Sequence, residues 1–169
     1  MGDTLTAVSA TDKRSQKQVD ALLEQEGIRR DGNLDYTCGL FDDDWRLAAT
    51  GSCFGNTIRC LAVDRNRQGE GLLNQIVTHL MEIQAERGNT HLFLYTKPNS
   101  AKFFGDLGFY EIASVEGRLV FMENRRRGFA DYCAALEKTS REGRSADCDE
   151  RQPIHTWTSA LSGARGGGE

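Results

Sequence analysis

The apolar run from Ile58 to Val63 is followed closely by Asn66-Arg67-Gln68-Gly69-Glu70-Gly71, and then by a helical pattern opening near Leu72. Leu72/Leu73, Ile76/Val77 and Leu80/Met81 recur at the spacing of one face of a helix. Strand, glycine-rich turn and helix in that order confine the chain to an α/β layer arrangement. They also form a device for holding a phosphate. Glycine lets the backbone approach an anion closely. The unpaired N–H groups of the first helical turn point at the ligand, and the helix dipole favours its negative charge. Arg65 and Arg67 add positive charge at the mouth. The plainer alternative is a tight connection whose glycines serve geometry alone.

Around this block the pattern alternates between helix and strand. Thr11 or Asp12 caps a helix running to about Glu26, with Val19, Leu22 and Leu23 on its apolar stripe and Gly27 ending it. Leu34 to Asp42 and Trp45 to Phe54 read as a hairpin turning at Asp42-Asp43-Asp44. Gly55-Asn56 leads into a third strand, Thr57 to Val63. The long helix stops near Arg87-Gly88-Asn89. His91 to Thr96 is apolar or β-prone, as a buried central strand would be. Lys97-Pro98-Asn99 breaks it, and Ser100 to Leu107 is a short helix closed by Gly108. Phe109 to Ser114 and Arg118 to Glu123 form a last hairpin, and Phe129, Tyr132, Cys133 and Leu136 share one face of a closing helix. The expected fold is mixed α/β (α+β) over residues 1–139, a central sheet of about six strands with helices on both faces. From about Ser140 the chain turns to Arg, Glu, Ser and Gly without periodicity, so residues 140–169 read as an unstructured tail.

Charge and cysteine usage narrow the partners. With a net charge of -4, no global positive field attracts nucleic acid, and Arg125-Arg126-Arg127 reads as a solvated face. No apolar run approaches the roughly 20 residues that span a membrane. The five cysteines are scattered without a C-x-x-C pair, which suits reduced, buried thiols in a cytoplasmic protein. His79, His91 and His155 lack metal-ligand spacing, so no metal is expected.

Two blocks resemble the GNAT acyltransferases. Leu61 to Met81 is similar to that family's [QR]-x-x-G-x-[GA] pyrophosphate cradle, and Tyr95 to Phe109 to the strand and small helix ending in L-G-F. The resemblance implies binding of acetyl-CoA or a CoA-like group. It points to Val63, Asn66, Arg67, Gln68, Gly69, Glu70, Gly71 and Leu72 around the pyrophosphate, with Asn99, Lys102 and Phe104 from the second block. In such folds the strands matching Thr57–Val63 and His91–Thr96 splay, and pantetheine lies between them like an added strand. Two positions depart from the pattern. Asn66 replaces Gln or Arg, which backbone contacts tolerate. Phe104 stands where many members carry a tyrosine that protonates the leaving thiolate, and phenylalanine has no proton to give. Tyr95 and Tyr110 are near in sequence. Asp64 and Glu70 are either bases or ordinary loop carboxylates. Catalytic residues stay unassigned.

A closer resemblance runs through Ala62-Val63-Asp64, Gln68 to Leu72, Leu92 to Pro98, Leu107 to Tyr110 and Met122-Glu123-Asn124. This wording looks like the amino-terminal domain of the citrate (pro-3S)-lyase ligases. That family uses ATP to activate acetate and then acetylates the thiol of the CoA-derived prosthetic group of citrate lyase. The resemblance implies a domain that grips the prosthetic arm presented by the acyl carrier subunit. Gln152 to Gly163 can be back-translated so that a one-base shift reads N-P-F-T-L-G-H-R-H-L-V, similar to a nucleotidyltransferase signature. The expectation is a truncated ligase with an out-of-frame tail and no ATP site. The alternatives are a free-standing acetyl-CoA-dependent N-acetyltransferase and a non-catalytic module that docks the acyl carrier.

Overall fold

The computed structural model describes residues 2–141 of the chain. The expected tail and its out-of-frame segment lie outside the described residues, except Ser140 and Arg141, which continue the last helix. The described residues form two compact units, 2–90 and 91–141.

The first unit contains β1 (Thr4–Ala7), α1 (Lys13–Gln25), β2 (Tyr36–Phe41), β3 (Leu47–Phe54), β4 (Thr57–Val63) and α2 (Leu72–Glu86). Its strands lie side by side in chain order, each antiparallel to the next. Asp12 starts α1: its carboxylate accepts the Ser15 N–H at 3.1 Å and the Ser15 hydroxyl at 2.7 Å. The expected β2–β3 hairpin is present but shorter. Trp45 belongs to the turn and not to the strand, because its φ of 59° is left-handed. Asp42 closes that turn by accepting the N–H groups of Asp44 and Arg46, each at 2.9 Å.

Both faces of this sheet are covered. Val19, Leu22 and Leu23 of α1 cluster with Phe41, Leu47, Cys60 and Ala62. Leu61, between Cys60 and Ala62, points the other way. On that side Gly51 faces Ile76 and Leu80 of α2. The β3–β4 register jumps from Thr50↔Ala62 to Ser52↔Arg59, so Cys60 and Leu61 together oppose Gly51. This β-bulge explains the φ of 53° at Cys60, in the middle of a strand. Buried Gln84 ties α2 back to the β3–β4 turn, donating to the Gly55 carbonyl at 2.9 Å.

The second unit contains β5 (Phe93–Thr96), α3 (Ala101–Asp106), β6 (Tyr110–Val115), β7 (Leu119–Glu123) and α4 (Gly128–Arg141). β7 lies between β5 and β6, antiparallel to both. The start of α4 is pinned by buried Glu123, whose carboxylate accepts the Phe129 N–H at 2.9 Å and lies 2.9 Å from His91 Nε2. Gly128 permits the close approach: a β-carbon there would lie 2.6 Å from Glu123 Oε1.

The described residues thus hold seven strands against the expected six or so, with four α-helices. The additional strand is β1, and His91 falls just outside β5.

Candidate functional site

The loop between β4 and α2 begins where the β3–β4 ladder ends, with Asp64 donating its N–H to the Ala48 carbonyl at 2.8 Å. Asp64 then accepts the Asn66 N–H at 2.8 Å on its side chain and the Arg67 N–H at 2.9 Å on its carbonyl. These bonds wind Arg65–Arg67 into one 3-10 turn. Gln68 is extended, and Gly69 and Gly71 follow with φ of 86° and 77°. Extended Gln68 followed by left-handed Gly69 makes a type II turn, and left-handed Gly71 then opens α2. Gly71 is the N-cap of α2 and offers it no side-chain bond. No side chain among the described residues accepts the N–H groups of Gln68, Gly69, Glu70 or Gly71. A β-carbon built at Gly69 or Gly71 meets nothing within 4 Å, so this stretch of backbone borders open space.

The two arginines do not add free positive charge there, which corrects the expectation that they would. Arg67 Nη2 reaches Asp3 at 2.8 Å, and its Nε lies 2.9 Å from both carboxylate oxygens of Glu70. These carboxylates raise the Arg67 pKa, Glu70 first and Asp3 second. Arg65 Nε lies 3.1 Å from Glu26, and its Nη2 donates to the Gln25 carbonyl at 2.6 Å. Gln68 Nε2 reaches the other Glu26 oxygen at 3.4 Å. Asp64 and Glu70, the two candidate bases, are therefore both occupied in shaping the loop.

Of the residues marked from the sequence, Val63, Asn66, Arg67, Gln68, Gly69, Glu70, Gly71 and Leu72 form this one continuous stretch. Leu72 is buried, Val63 and Arg67 are half-buried, and the rest are exposed. Asn99, Lys102 and Phe104 belong to the second unit. Asn99, in the turn leading into α3, and Lys102, in the first turn of α3, are exposed. Phe104 is only 2% exposed and packs edge-on against Phe103 and Phe109 at centroid distances of 5.1 and 6.2 Å. Tyr95 packs against Phe121, and Tyr110 is exposed on β6. Asp3 and Glu26, the partners of the loop's arginines, carry no signal in the sequence that ties them to it.

Three of the thiols are unsuited to act as nucleophiles. Cys38, Cys53 and Cys60 are free and buried. Burial pushes Cys38 and Cys53 up to about 12 and Cys60 up to about 11. No helix among the described residues is long and apolar enough to cross a membrane.

No family model matches the chain. Among solved structures it is similar to an acyl-CoA N-acyltransferase from Pseudomonas aeruginosa, with a TM-score of 0.61, 15% identity, and coverage of 73% of this chain and 99% of that one. It is also similar to the GNAT family N-acetyltransferase YhbS from Escherichia coli, solved in complex with CoA. There the TM-score is 0.57 at 16% identity, covering 75% of this chain and 84% of that one. The chain has the GNAT fold. The chain is also similar in sequence to the citrate (pro-3S)-lyase ligase of Klebsiella pneumoniae, 34% identical over 133 residues. That match takes in 79% of this chain and 39% of the relative. The chain spans about two fifths of the length of the curated relatives it matches. Both resemblances read from the residues, to the GNAT fold and to the citrate lyase ligases, therefore hold.

Proposed function

We propose that the stretch from Asn66 to Leu72 grips the diphosphate of a CoA-like molecule. In this role the chain is the CoA-holding GNAT domain of a citrate lyase ligase. One observation carries the proposal: left-handed Gly69 and Gly71 lead straight into the N-terminus of α2, whose first amides no side chain caps. Such amides are costly to leave unpaired unless water or an anion takes them. The open space beside Gly69 and Gly71 admits a phosphate. Val63 and Leu72 flank the stretch. A bound CoA-like group brings a thiol or thioester. The chain's own part is to hold it, since Phe104 is buried hydrocarbon where a proton donor would serve transfer.

Within this proposal the ligand is the CoA-derived prosthetic arm of citrate lyase, presented by its acyl carrier subunit. Activation of acetate with ATP is assigned to the remainder of a full-length ligase. Buried, unpaired thiols suit a reducing, cytoplasmic setting. A second reading, a free-standing acetyl-CoA-dependent N-acetyltransferase, is favoured by the names of the fold neighbours. Thiol release from acetyl-CoA with a panel of amines separates the two, and the proposal expects none above background.

Calorimetric titration with CoA and with dephospho-CoA tests the grip. Saturable binding of both is expected, lost in Gly69→Glu and Gly71→Glu, where a carboxylate enters the phosphate position. A folded wild-type chain that gives no saturable heat overturns the proposal.

A further inference from the structure

The ion pairs around Arg67 bear on how the loop works. Arg67 is the loop's half-buried cation, and it is held from two sides. Glu70, three residues on, takes its Nε with both oxygens at 2.9 Å, and Asp3, just before β1, takes its Nη2 at 2.8 Å. Asp3 and Arg67 are 18% and 28% exposed, so this contact is shielded from water more than the Arg67–Glu70 contact, where the carboxylate is 45% exposed. The Arg67–Glu70 pair spans Gln68 and Gly69 and so sets the distance across the left-handed turn. The Asp3 pair anchors the same guanidinium to the edge of the sheet. Without these bonds the flexible Gly69-Glu70-Gly71 segment has little else to select one backbone conformation, since no side chain caps α2.

We propose that Asp3, Arg67 and Glu70 are positioning residues: they fix the amides of Gln68 to Gly71 in the anion-receiving arrangement, and Arg67 acts on the ligand through the backbone and not through its charge. This rests on the reading of the loop as a diphosphate grip. It goes beyond that reading by assigning an indirect role to the loop's most conspicuous cation, and a role at the site to Asp3, which is 64 residues away.

The two possible roles of Arg67 give opposite signs for one variant. If Arg67 contacted phosphate by its charge, Asp3→Asn would release the guanidinium from a competitor and tighten binding. If it positions the loop, Asp3→Asn loosens the loop and weakens binding. An affinity scales with the fraction of molecules in the competent conformation, so a loop ordered one time in ten costs about tenfold.

The test is titration of the full chain with CoA at two salt concentrations, for wild type, Asp3→Asn, Arg67→Gln, the double variant and Asp3→Glu. Circular dichroism and thermal melting verify that each is folded. The expected result is a loss of about tenfold in each single variant and no further loss in the double. Asp3→Glu should restore part of it, and the salt dependence of affinity should be unchanged in Arg67→Gln. Tighter or unchanged binding by folded Asp3→Asn, or a flattened salt dependence in Arg67→Gln, overturns the positioning role while leaving the grip intact. No CoA binding by wild type overturns the grip itself, and the positioning role with it.

Discussion

Gly51 lies against Ile76 with no room for a side chain: a β-carbon on Gly51 would be 2.5 Å from Ile76 Cγ2. It would also lie 2.8 Å from both Leu61 Cδ2 and Leu80 Cδ1. The pair fixes how closely α2 rides on the bulged part of β3 and β4, and therefore where the helix presents its N-terminus.

Gly51→Ala is accordingly expected to destabilise the fold. Overpacking of this kind costs roughly 1–3 kcal/mol. Ile76, Leu80 and Leu61 have to move together, and that shifts α2. Urea unfolding should show an earlier midpoint with little change in slope, and CoA affinity should fall with it. An unchanged midpoint would mean that α2 packs less tightly here than described.

Phe104→Tyr asks whether the missing proton donor can simply be restored. Phe104 is enclosed by Phe103 and Phe109, so a new hydroxyl enters an apolar site. Burying it without a partner costs about 1–3 kcal/mol. The expected outcome is lower thermal stability and no gain in acetyl transfer from acetyl-CoA, read as thiol release. A variant that gains activity would show that the position faces substrate.

The buried thiols make stability depend on alkaline pH. Cys38, Cys53 and Cys60 are shifted from an ordinary 9.0 to about 12, 12 and 11. Above pH 9 the unfolded chain has released protons that the folded chain keeps, so stability is full below that pH and falls as pH rises towards 12. Tyr36, raised to about 12 chiefly by burial, acts in the same direction over the upper part of that range. Urea midpoints measured from pH 7 upward should decline past 9. At pH 8 these three thiols should react with Ellman's reagent only after unfolding, and fast labelling of the native protein at all three would contradict the burial.

Glu123→Ala removes an acceptor of the Phe129 N–H and a partner of His91. Losing hydrogen bonds to a buried carboxylate costs about 1–3 kcal/mol. None of the described residues of α4 is fully buried, so its docking depends heavily on this carboxylate. Hydrogen exchange should quicken along α4 first, and Glu123→Gln should retain part of the protection. Uniform protection in both variants would show that the helix is held by its half-buried apolar stripe alone.

Much of this was legible in the residues because it is local. The Leu72–Met81 repeat and the Asp12 cap act within a few positions, and both elements start where expected. Glycine beside a helix start likewise announced the left-handed turn. β1 is not legible in the sequence, since its Thr4–Ala7 run is too short to show a period, and pairing with β2 gives it its identity as a strand. Trp45 reads as a strand residue by type, yet the Asp42 turn places it at positive φ. The pairing of the loop's arginines is hidden in the chain for a related reason. Their charge is visible in the chain, but Asp3 and Glu26 reach them only through the fold.

The loop's neutralised arginines also govern how a ligand would arrive. With Arg65 and Arg67 each matched to carboxylates and the chain at -4, little long-range pull acts on a polyanion. Amide dipoles work only at contact. A freely diffusing coenzyme would meet the loop unsteered, whereas a swinging arm on a docked protein supplies local abundance in place of attraction.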